Sequence, residues 1–504
     1  MCGIAGIWGM ENVTLVKAMN EKLSHRGPDA EGLYRCPHGH GTLGHRRLSI
    51  MDPEGGNQPL YNEEKSKAIV ANGEIYNFPV LRKQLAETHT LHTGNDSEAI
   101  LHLYEDHEQT VVDHLEGMFA FAIADGENLF AARDPIGIKP LYYGQKEGAF
   151  YFSSELKAFP KQMEAVNEFP PGTWYHSDKG FVSFYEIPNH RPLEVPLALC
   201  LSALREKLEK SVTKRLMSDV PLGTFLSGGL DSSIIAAIVR QHMDELHSFS
   251  VGIEGSRDLE AARMVARHLD TVHHEYIFTP KEVLEILPDV IYYLESFDQD
   301  LVRSAIPCYF VSRLASEKVK VILTGEGADE LFAGYTYYKN IFDNETLHRE
   351  LRRSVAALHN INLQRVDRLT MAHGLEGRVP FLDLEMINLS QTVPPSLKLY
   401  DDGKGRRIEK WILRKATEDL LPKEIVWRDK AQFDEGSGTV DLLQSAIAEK
   451  MTSEEADEYR SAHPEIRLRS PEECFYHRIF TDAFECPKLI SQNVGRWGER
   501  PAFE

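Results

Sequence analysis

Apolar positions fall into two textures along the chain. Up to Tyr185 they form short runs broken by turns, starting with Cys2-Gly-Ile-Ala-Gly-Ile-Trp8 and continuing through Ala68–Ala71 and Gly117–Asp125. Such runs predict strands. From Leu197 the pattern changes. Leu197–Met217 is an amphipathic helix with Lys and Arg on one face, Val220–Leu226 a buried strand, and Ile234–Val239 the start of a helix. His247–Ile253 and Thr271–Phe278 read as strands around a helix over Asp258–His268, and a further helical stretch leads to the strand Val319–Thr324. Strands alternating with helices make this an α/β fold, with a parallel sheet covered on both faces. Ligands of such sheets lie beyond the carboxyl ends of the strands. Between the two textures, Tyr185–Pro196 holds three prolines and little periodicity, and reads as a linker. The expected domains are therefore 2–185 and 197–504.

Composition narrows the class. The chain has 504 residues, 42% hydrophobic and 26% charged, as expected of a soluble multidomain protein. No apolar run approaches the ~20 residues of a membrane span and no signal-peptide layout is present, so the expected location is cytoplasmic. A net charge of −21 argues against nucleic-acid or anionic-membrane binding. The six cysteines form no Cys-x-x-Cys pair, and Cys36-Pro-His38-Gly-His40 reads as a polar turn. An anionic substrate would need a local basic pocket.

Two loops at strand ends carry candidate chemistry. The first, Leu226-Ser-Gly-Gly-Leu-Asp-Ser-Ser233, lies between a strand and a helix. Glycines let the backbone approach an anion, Ser227, Ser232 and Ser233 add hydroxyl donors, and the helix N-terminus adds oriented N–H groups. It lacks the Gly-Lys-Ser/Thr ending of the Walker loop, so cleavage between the β and γ phosphates is not the natural reading. The second, Thr324-Gly-Glu-Gly-Ala-Asp-Glu-Leu-Phe-Ala-Gly-Tyr335, sets Glu326, Asp329 and Glu330 beside glycines at the end of a buried strand. Three carboxylates there are costly as packing, and Mg²⁺ with pyrophosphate would explain them.

The N-terminus offers a nucleophile. Removal of Met1 would leave Cys2 with a thiol and a free α-amine whose intrinsic pKa of about 7.7–8.0 suits it to take the thiol proton. His25-Arg-Gly-Pro-Asp29 and Gly44-His-Arg-Arg-Leu-Ser-Ile50 place arginines able to grip a carboxylate. Asn72-Gly-Glu-Ile-Tyr-Asn77 sits at the end of a strand, where an amide and a glycine N–H can form an oxyanion hole. In Thr93–Glu98, Asp96 read alone is a helix N-cap.

Taken together, the N-terminal residues resemble the class II glutamine amidotransferases, an N-terminal-nucleophile family with an α-β-β-α sandwich. The Ser-Gly-Gly loop resembles that of the N-type ATP pyrophosphatases, with a doubly wound, adenine nucleotide alpha hydrolase-like sheet and a helical C-terminal part. With Met371–Asp383, which reads as a turn-rich segment, and Trp427–Phe433, both in the same order, the chain from Cys2 to about Gly438 resembles the glutamine-dependent asparagine synthetases. The resemblance implies that Cys2 attacks the glutamine amide with Asn72 and Gly73 as oxyanion hole, that Arg47 binds the glutamine carboxylate, and that Glu74 and Asp96 hold its amino end. It implies ATP contacts by Leu226, Ser227, Gly228, Gly229, Asp231, Ser232, Val251, Thr324 and Gly325, and Mg²⁺-pyrophosphate held by Asp231 and Asp329. Glu326 is similar to a carboxylate that helps form or aminate an adenylate, and Lys430 to a lysine neutralising the α-phosphate.

The implied partners are the small molecules glutamine, aspartate and ATP, with no nucleic acid or membrane; a homodimer is left open. One departure concerns the acceptor. The family often has paired threonines where this chain has Asp300-Leu301, ahead of a retained Arg303. The closest rival is the same machinery on another carboxylate, such as a peptide or cell-envelope substrate. β-Lactam synthetases lack the N-terminal cysteine, phosphoribosyl-type amidotransferases lack the Ser-Gly-Gly loop, and a non-catalytic nucleotide sensor would not need the reactive residues of both sites.

Overall fold

The computed structural model describes residues 2–430, 436, 443 and 446–496; Ala431–Phe433 and Gly438 lie outside them. Twelve strands build the first unit as two sheets. They are β1 (Cys2–Trp8), β2 (Ala30–Arg35), β3 (Gly41–Arg47), β4 (Leu60–Tyr61), β5 (Lys67–Ile75), β6 (Gly117–Asp125), β7 (Asn128–Arg133), β8 (Tyr142–Lys146), β9 (Ala149–Ser153), β10 (Asn167–Glu168), β11 (Thr173–His176) and β12 (Gly180–Ser183). One sheet runs β10-β8-β9-β1-β3-β2 and the other β12-β11-β7-β6-β5-β4. Helix α1 (Val13–Glu21) packs on the first, and α2 (Phe78–Leu85) and α3 (Asp96–His107) on the second, completing an α-β-β-α sandwich.

Alternation along β1 and β5 explains the layers, because successive side chains of a strand face opposite ways. Ile4 and Trp8 of β1 join Ala68 and Val70 of β5 in the core between the sheets. Ala5 and Ile7 face α1, while Ile69 and Ala71 face α2 and α3. Strands buried on both faces read as continuous apolar runs, which made them visible in the sequence. No helix or strand occurs between Ser183 and Leu197.

The second unit opens with α4 (Leu197–Lys214) and then alternates: β13 (Leu222–Phe225), α5 (Leu230–Arg240), β14 (His247–Gly252), α6 (Arg257–Leu269), β15 (Val272–Ile277), α7 (Pro280–Leu294), α8 (Gln299–Ser316), β16 (Val321–Leu323), α9 (Ala328–Phe332), α10 (Asn344–Ala356), α11 (Asn362–Met371) and β17 (Glu376–Arg378). The sheet is parallel in the order β15-β14-β13-β16-β17. Chain order reverses between β13 and β16, so their loops face one crevice, the switch point at which doubly wound sheets bind ligands. The segment 371–383, expected to be turns, contributes the fifth strand, β17.

Residues of both units share two hydrophobic clusters, and buried charge also crosses between the units. Arg26 reaches Asp367 of α11 at 2.7 Å and Glu155 at 2.8 Å. Arg368 joins Glu155 at 3.0 Å to Glu295 at 2.9 Å, and Lys139 faces Asp367 at 3.3 Å. The helix Pro471–Ala483, near the end of the described residues, packs on α7. Among the described residues no helix is long and apolar enough to cross a membrane.

Two candidate active sites

Cys2 is the first residue of β1, and antiparallel pairing sets it opposite Arg47 of β3. Its backbone nitrogen donates to Asn72 Oδ1 at 2.9 Å, so the first centre lies where the two sheets face each other. Burial pushes the Cys2 thiol up from its ordinary value, against the Leu48 amide and the Arg47 charge. Asn72 and Gly73 lie within β5 rather than after it. The Asn72 side-chain nitrogen is buried with no hydrogen-bond partner, leaving an N–H₂ available to a developing oxyanion. At Gly73 a Cβ would come 2.7 Å from the Phe119 Cα, so only glycine fits beside β6.

The carboxylates of this centre are short of positive charge. Glu74 is buried, its Oε1 has no hydrogen-bond partner, and its Oε2 lies 3.4 Å from Arg378 Nη2. Burial and the neighbouring Asp96 push its carboxyl well up. Asp96 is likewise pushed up, to about 6, by burial. It is not the N-cap of α3; Asn95 caps the helix by accepting from the Ser97 amide, and Asp96 Oδ2 accepts from the Ile75 amide at 2.6 Å. An arriving ammonium would be favoured by both acids.

The arginines divide. Arg47 donates to the carbonyl oxygens of Met51, Asp52 and Pro53 and, at 2.7 Å, to Asn57 Oδ1, which fixes the 51–57 loop beside Cys2. Arg26, a candidate carboxylate grip, is fully buried and serves the protein itself. Its Nε donates to the Cys2 carbonyl at 3.1 Å while Nη1 holds Glu155 and Asp367.

The second centre is a cavity of about 340 Å³ at the switch point. Every nucleotide-site candidate except Gly228 and Ser233 lines it, together with Glu326, Asp329 and Lys430. Gly228 shapes the loop instead: its φ is +71°, and a Cβ there would come 2.6 Å from the Ala261 Cβ at the start of α6. The helix after the loop begins at Leu230, so Asp231, Ser232 and Ser233 occupy its first turn. Ser227 and Ser232 hydroxyls pair at 3.0 Å. Ser233, expected to be a phosphate donor, instead donates to the Gly229 carbonyl at 2.6 Å and is fully buried.

Two lysines sit between two aspartates. Lys410 Nζ is 2.5 Å from Asp231 Oδ2 and 2.6 Å from Asp329 Oδ1, and Lys430 Nζ is 2.5 Å from both Asp329 oxygens. Although burial opposes ionisation, these ammonium groups hold the Asp329 carboxyl far below its usual range. An ammonium thus already spans the two carboxylates, and Asp231 Oδ1 is buried with no hydrogen-bond partner. The donor set therefore fits a hard divalent cation bound with phosphate oxygens. Glu326, pushed up by burial, is bonded to Arg365 of α11.

Glu330 departs from the expected acidic triad. It accepts from the Tyr335 hydroxyl at 2.5 Å and Asn362 at 3.2 Å, and does not line the cavity. Arg303, retained beside the lost threonines, forms a two-bond pair with Glu472 at 2.8 and 2.5 Å, away from the cavity lining. Asp300 and Leu301 do line it, with Asp300 at 3.2 Å from Arg469. Sequence reasoning missed Lys410 and Arg365, which also line the cavity. The available signal was the cluster Lys404, Arg406, Arg407, Lys410, Arg414 and Lys415 in a chain of net charge −21.

The two centres describe a class: a glutamine amidotransferase unit joined to a nucleotide-type α/β unit. Residues 1–176 match the glutamine amidotransferase domain, and residues 203–345 and 340–489 match asparagine synthase. The glutamine-hydrolysing asparagine synthetase of Asparagus officinalis is 41% identical over 510 residues, covering 96% of this chain and 86% of that protein. That of Brassica oleracea is 40% identical over 513 residues, with the same coverage of 96% and 86%. Among solved structures, glutamine phosphoribosylpyrophosphate amidotransferase from B. subtilis is 21% identical, covers 49% of this chain and 65% of its own, and has a TM-score of 0.32. The chain belongs to the glutamine-hydrolysing asparagine synthetase family.

Proposed function

We propose that this enzyme makes asparagine from aspartate with ATP, taking nitrogen from glutamine or ammonia. The observation that carries the reading is the Cys2–Asn72 contact in a chain that also holds Asp231 and Asp329 between two lysines. Family membership supplies the substrates.

At the first centre, removal of Met1 frees the α-amine of Cys2, held by Asn72 Oδ1. That amine takes the thiol proton, and the sulfur attacks the glutamine side-chain carbonyl. The oxyanion is met by Asn72 Nδ2 and the Gly73 amide. As the tetrahedral adduct collapses, the α-ammonium returns the proton to the leaving nitrogen, which departs as ammonia, and the remaining thioester is cleaved by water to glutamate, restoring the thiol. Arg47 orients the glutamine carboxylate, and Glu74 and Asp96 its ammonium.

At the second centre, the aspartate β-carboxylate attacks the α-phosphorus of ATP. The α–β bridge breaks, giving β-aspartyl-AMP and pyrophosphate, with Leu226, Val251 and Thr324–Gly325 placing the nucleotide and the Ser227–Ser232 turn its phosphates. Lys430 and Lys410 balance the charge of the leaving group. Mg²⁺, held by Asp231 and Asp329, would supply further neutralisation there. Ammonia then displaces AMP, and Glu326 is placed to take the proton released. The units 2–185 and 197–504 correspond to the two half-reactions.

A second reading, the same chemistry on another carboxylate, rests on Asp300 and Leu301 in the cavity wall. Measuring AMP and pyrophosphate with aspartate against a panel of carboxylic acids separates them. Aspartate-dependent turnover is expected, and its absence alongside turnover of another acid refutes the first reading.

A further inference from the structure

We propose that Glu63, His89, His102 and Glu105 form a zinc-type divalent-cation site that clamps the turn before β5 and the α2–α3 connection onto helix α3. His102 and Glu105 are three residues apart on α3 and share a face of it. Glu63 comes from the turn after β4 and His89 from the segment after α2. One ligand atom from each of the four lies within 4.8 Å of every other.

The spacing approaches that of a coordination polyhedron. Bonds of 2.0–2.2 Å in a tetrahedron place neighbouring ligand atoms about 3.3–3.6 Å apart. Here His102 Nδ1 is 3.1 Å from Glu105 Oε2 and 3.6 Å from Glu63 Oε2, and His89 Nδ1 is 3.4 Å from Glu63 Oε1 and 3.9 Å from Glu105 Oε2. The two histidines meet different oxygens of Glu63, and drawing in the four ligand atoms, which lie within 4.8 Å of one another, would seat a cation between them.

The surroundings are built in the same sense. A metal-bound histidine usually turns its other nitrogen to a carboxylate or carbonyl. His89 Nε2 is 3.1 Å from Asp106 Oδ1. His102 is fully buried, and its Nε2, without a hydrogen-bond partner, faces Glu98 Oε1 at 3.7 Å. Outer groups also orient the carboxylates: Asn62 Nδ2 donates to Glu105 Oε1 at 2.7 Å, and the Thr90 amide to Glu63 Oε1 at 2.9 Å. Two carboxylates would neutralise a dication, and four protein ligands leave no open position, the layout of a structural site. Glu98 also accepts from the His92 and Thr93 amides, so the cation would brace the turn leading to Asp96.

The test is zinc competition against a chromogenic chelator on the full-length chain, in wild type and in Cys2→Ala so that the thiol is not the ligand. We expect one tightly bound Zn²⁺ per chain in both. His89→Ala and Glu63→Gln, both at partly exposed positions, should weaken it roughly 100-fold or more, and Asp106→Asn about 10-fold as an outer partner. Co²⁺ should give the visible bands of tetrahedral nitrogen–oxygen ligation without a sulfur charge-transfer band. Zinc should raise the melting temperature of wild type and not of folded His89→Ala. No zinc uptake by wild type, or equal uptake by His89→Ala, overturns the site and leaves an ion-pair cluster.

Discussion

Asn72 serves the first centre with both ends of its amide, which makes Asn72→Ala a sharp perturbation. Its Oδ1 holds the Cys2 nitrogen at 2.9 Å and its Nδ2 has no other hydrogen-bond partner. Removing one preorganised oxyanion donor costs about 2.7–4 kcal/mol, a fall of roughly 100- to 1,000-fold in kcat. The Cys2 nitrogen, left buried without an acceptor, adds about 1–3 kcal/mol of lost stability. The assay is glutamate release from glutamine, beside ammonium-driven AMP formation at the second centre. Glutamine turnover should fall by at least 100-fold while the ammonium-driven rate stays within about twofold. Cys2→Ala sets the floor, with no glutamine-driven reaction and the ammonium-driven one retained. A loss of less than about tenfold, or parallel loss of both rates, would refute the role of the amide.

Lys410→Met removes the ammonium shared by Asp231 and Asp329; at an effective dielectric of ~20 a contact of this kind is worth about 4 kcal/mol, so pyrophosphate release should fall by two to three orders of magnitude with glutaminase unchanged. Unaltered release would exclude the lysine from the site. Asp96 titrates at about 6 when folded, above its ordinary 3.8, so the folded protein keeps a proton the unfolded chain gives up. Stability should therefore fall as pH rises from ~4 to ~6; Asp96→Asn should flatten that slope in urea titrations and raise the KM for glutamine near neutral pH, and an unchanged slope would contradict the shift. Arg26→Met strips a cation from Glu155 and Asp367, and should lower stability by about 3 kcal/mol, the low end for a broken buried pair because Lys139 still faces Asp367. A urea midpoint equal to wild type would show that the pair carries no net stability.

Legibility followed the kind of force that places each group. Strands β13, β14 and β16 were readable because their Val, Ile, Leu and Phe side chains are largely buried. Glu376-Gly-Arg378 was not readable as β17, because its side chains are buried through an ion pair at 2.6 Å rather than by apolar contact. The Ser-Gly-Gly loop and Cys2 showed themselves because their chemistry is local in sequence. Lys410 did not, lying 179 positions from Asp231 in a left-handed conformation of φ +53°. Glu330 looked equivalent to Asp329, yet one residue along a helix is a rotation of about 100°, enough to turn it from the cavity to Tyr335. The cap of α3 was misplaced by one residue for a similar reason, since Asn95 and Asp96 both suit that position.

Arg378 has its guanidinium 3.4 Å from Glu74, while its carbonyl accepts the Thr324 amide at 2.9 Å. In the proposed reaction, a glutamine settling against Glu74 would share that acid with a residue whose own backbone accepts from the loop after β16. Cutting the polypeptide between Ser183 and Leu197 would therefore take the guanidinium counter-charge away from Glu74 in the amino-terminal fragment, whereas Arg378 would keep its ion pair with Glu376 in the carboxyl-terminal one.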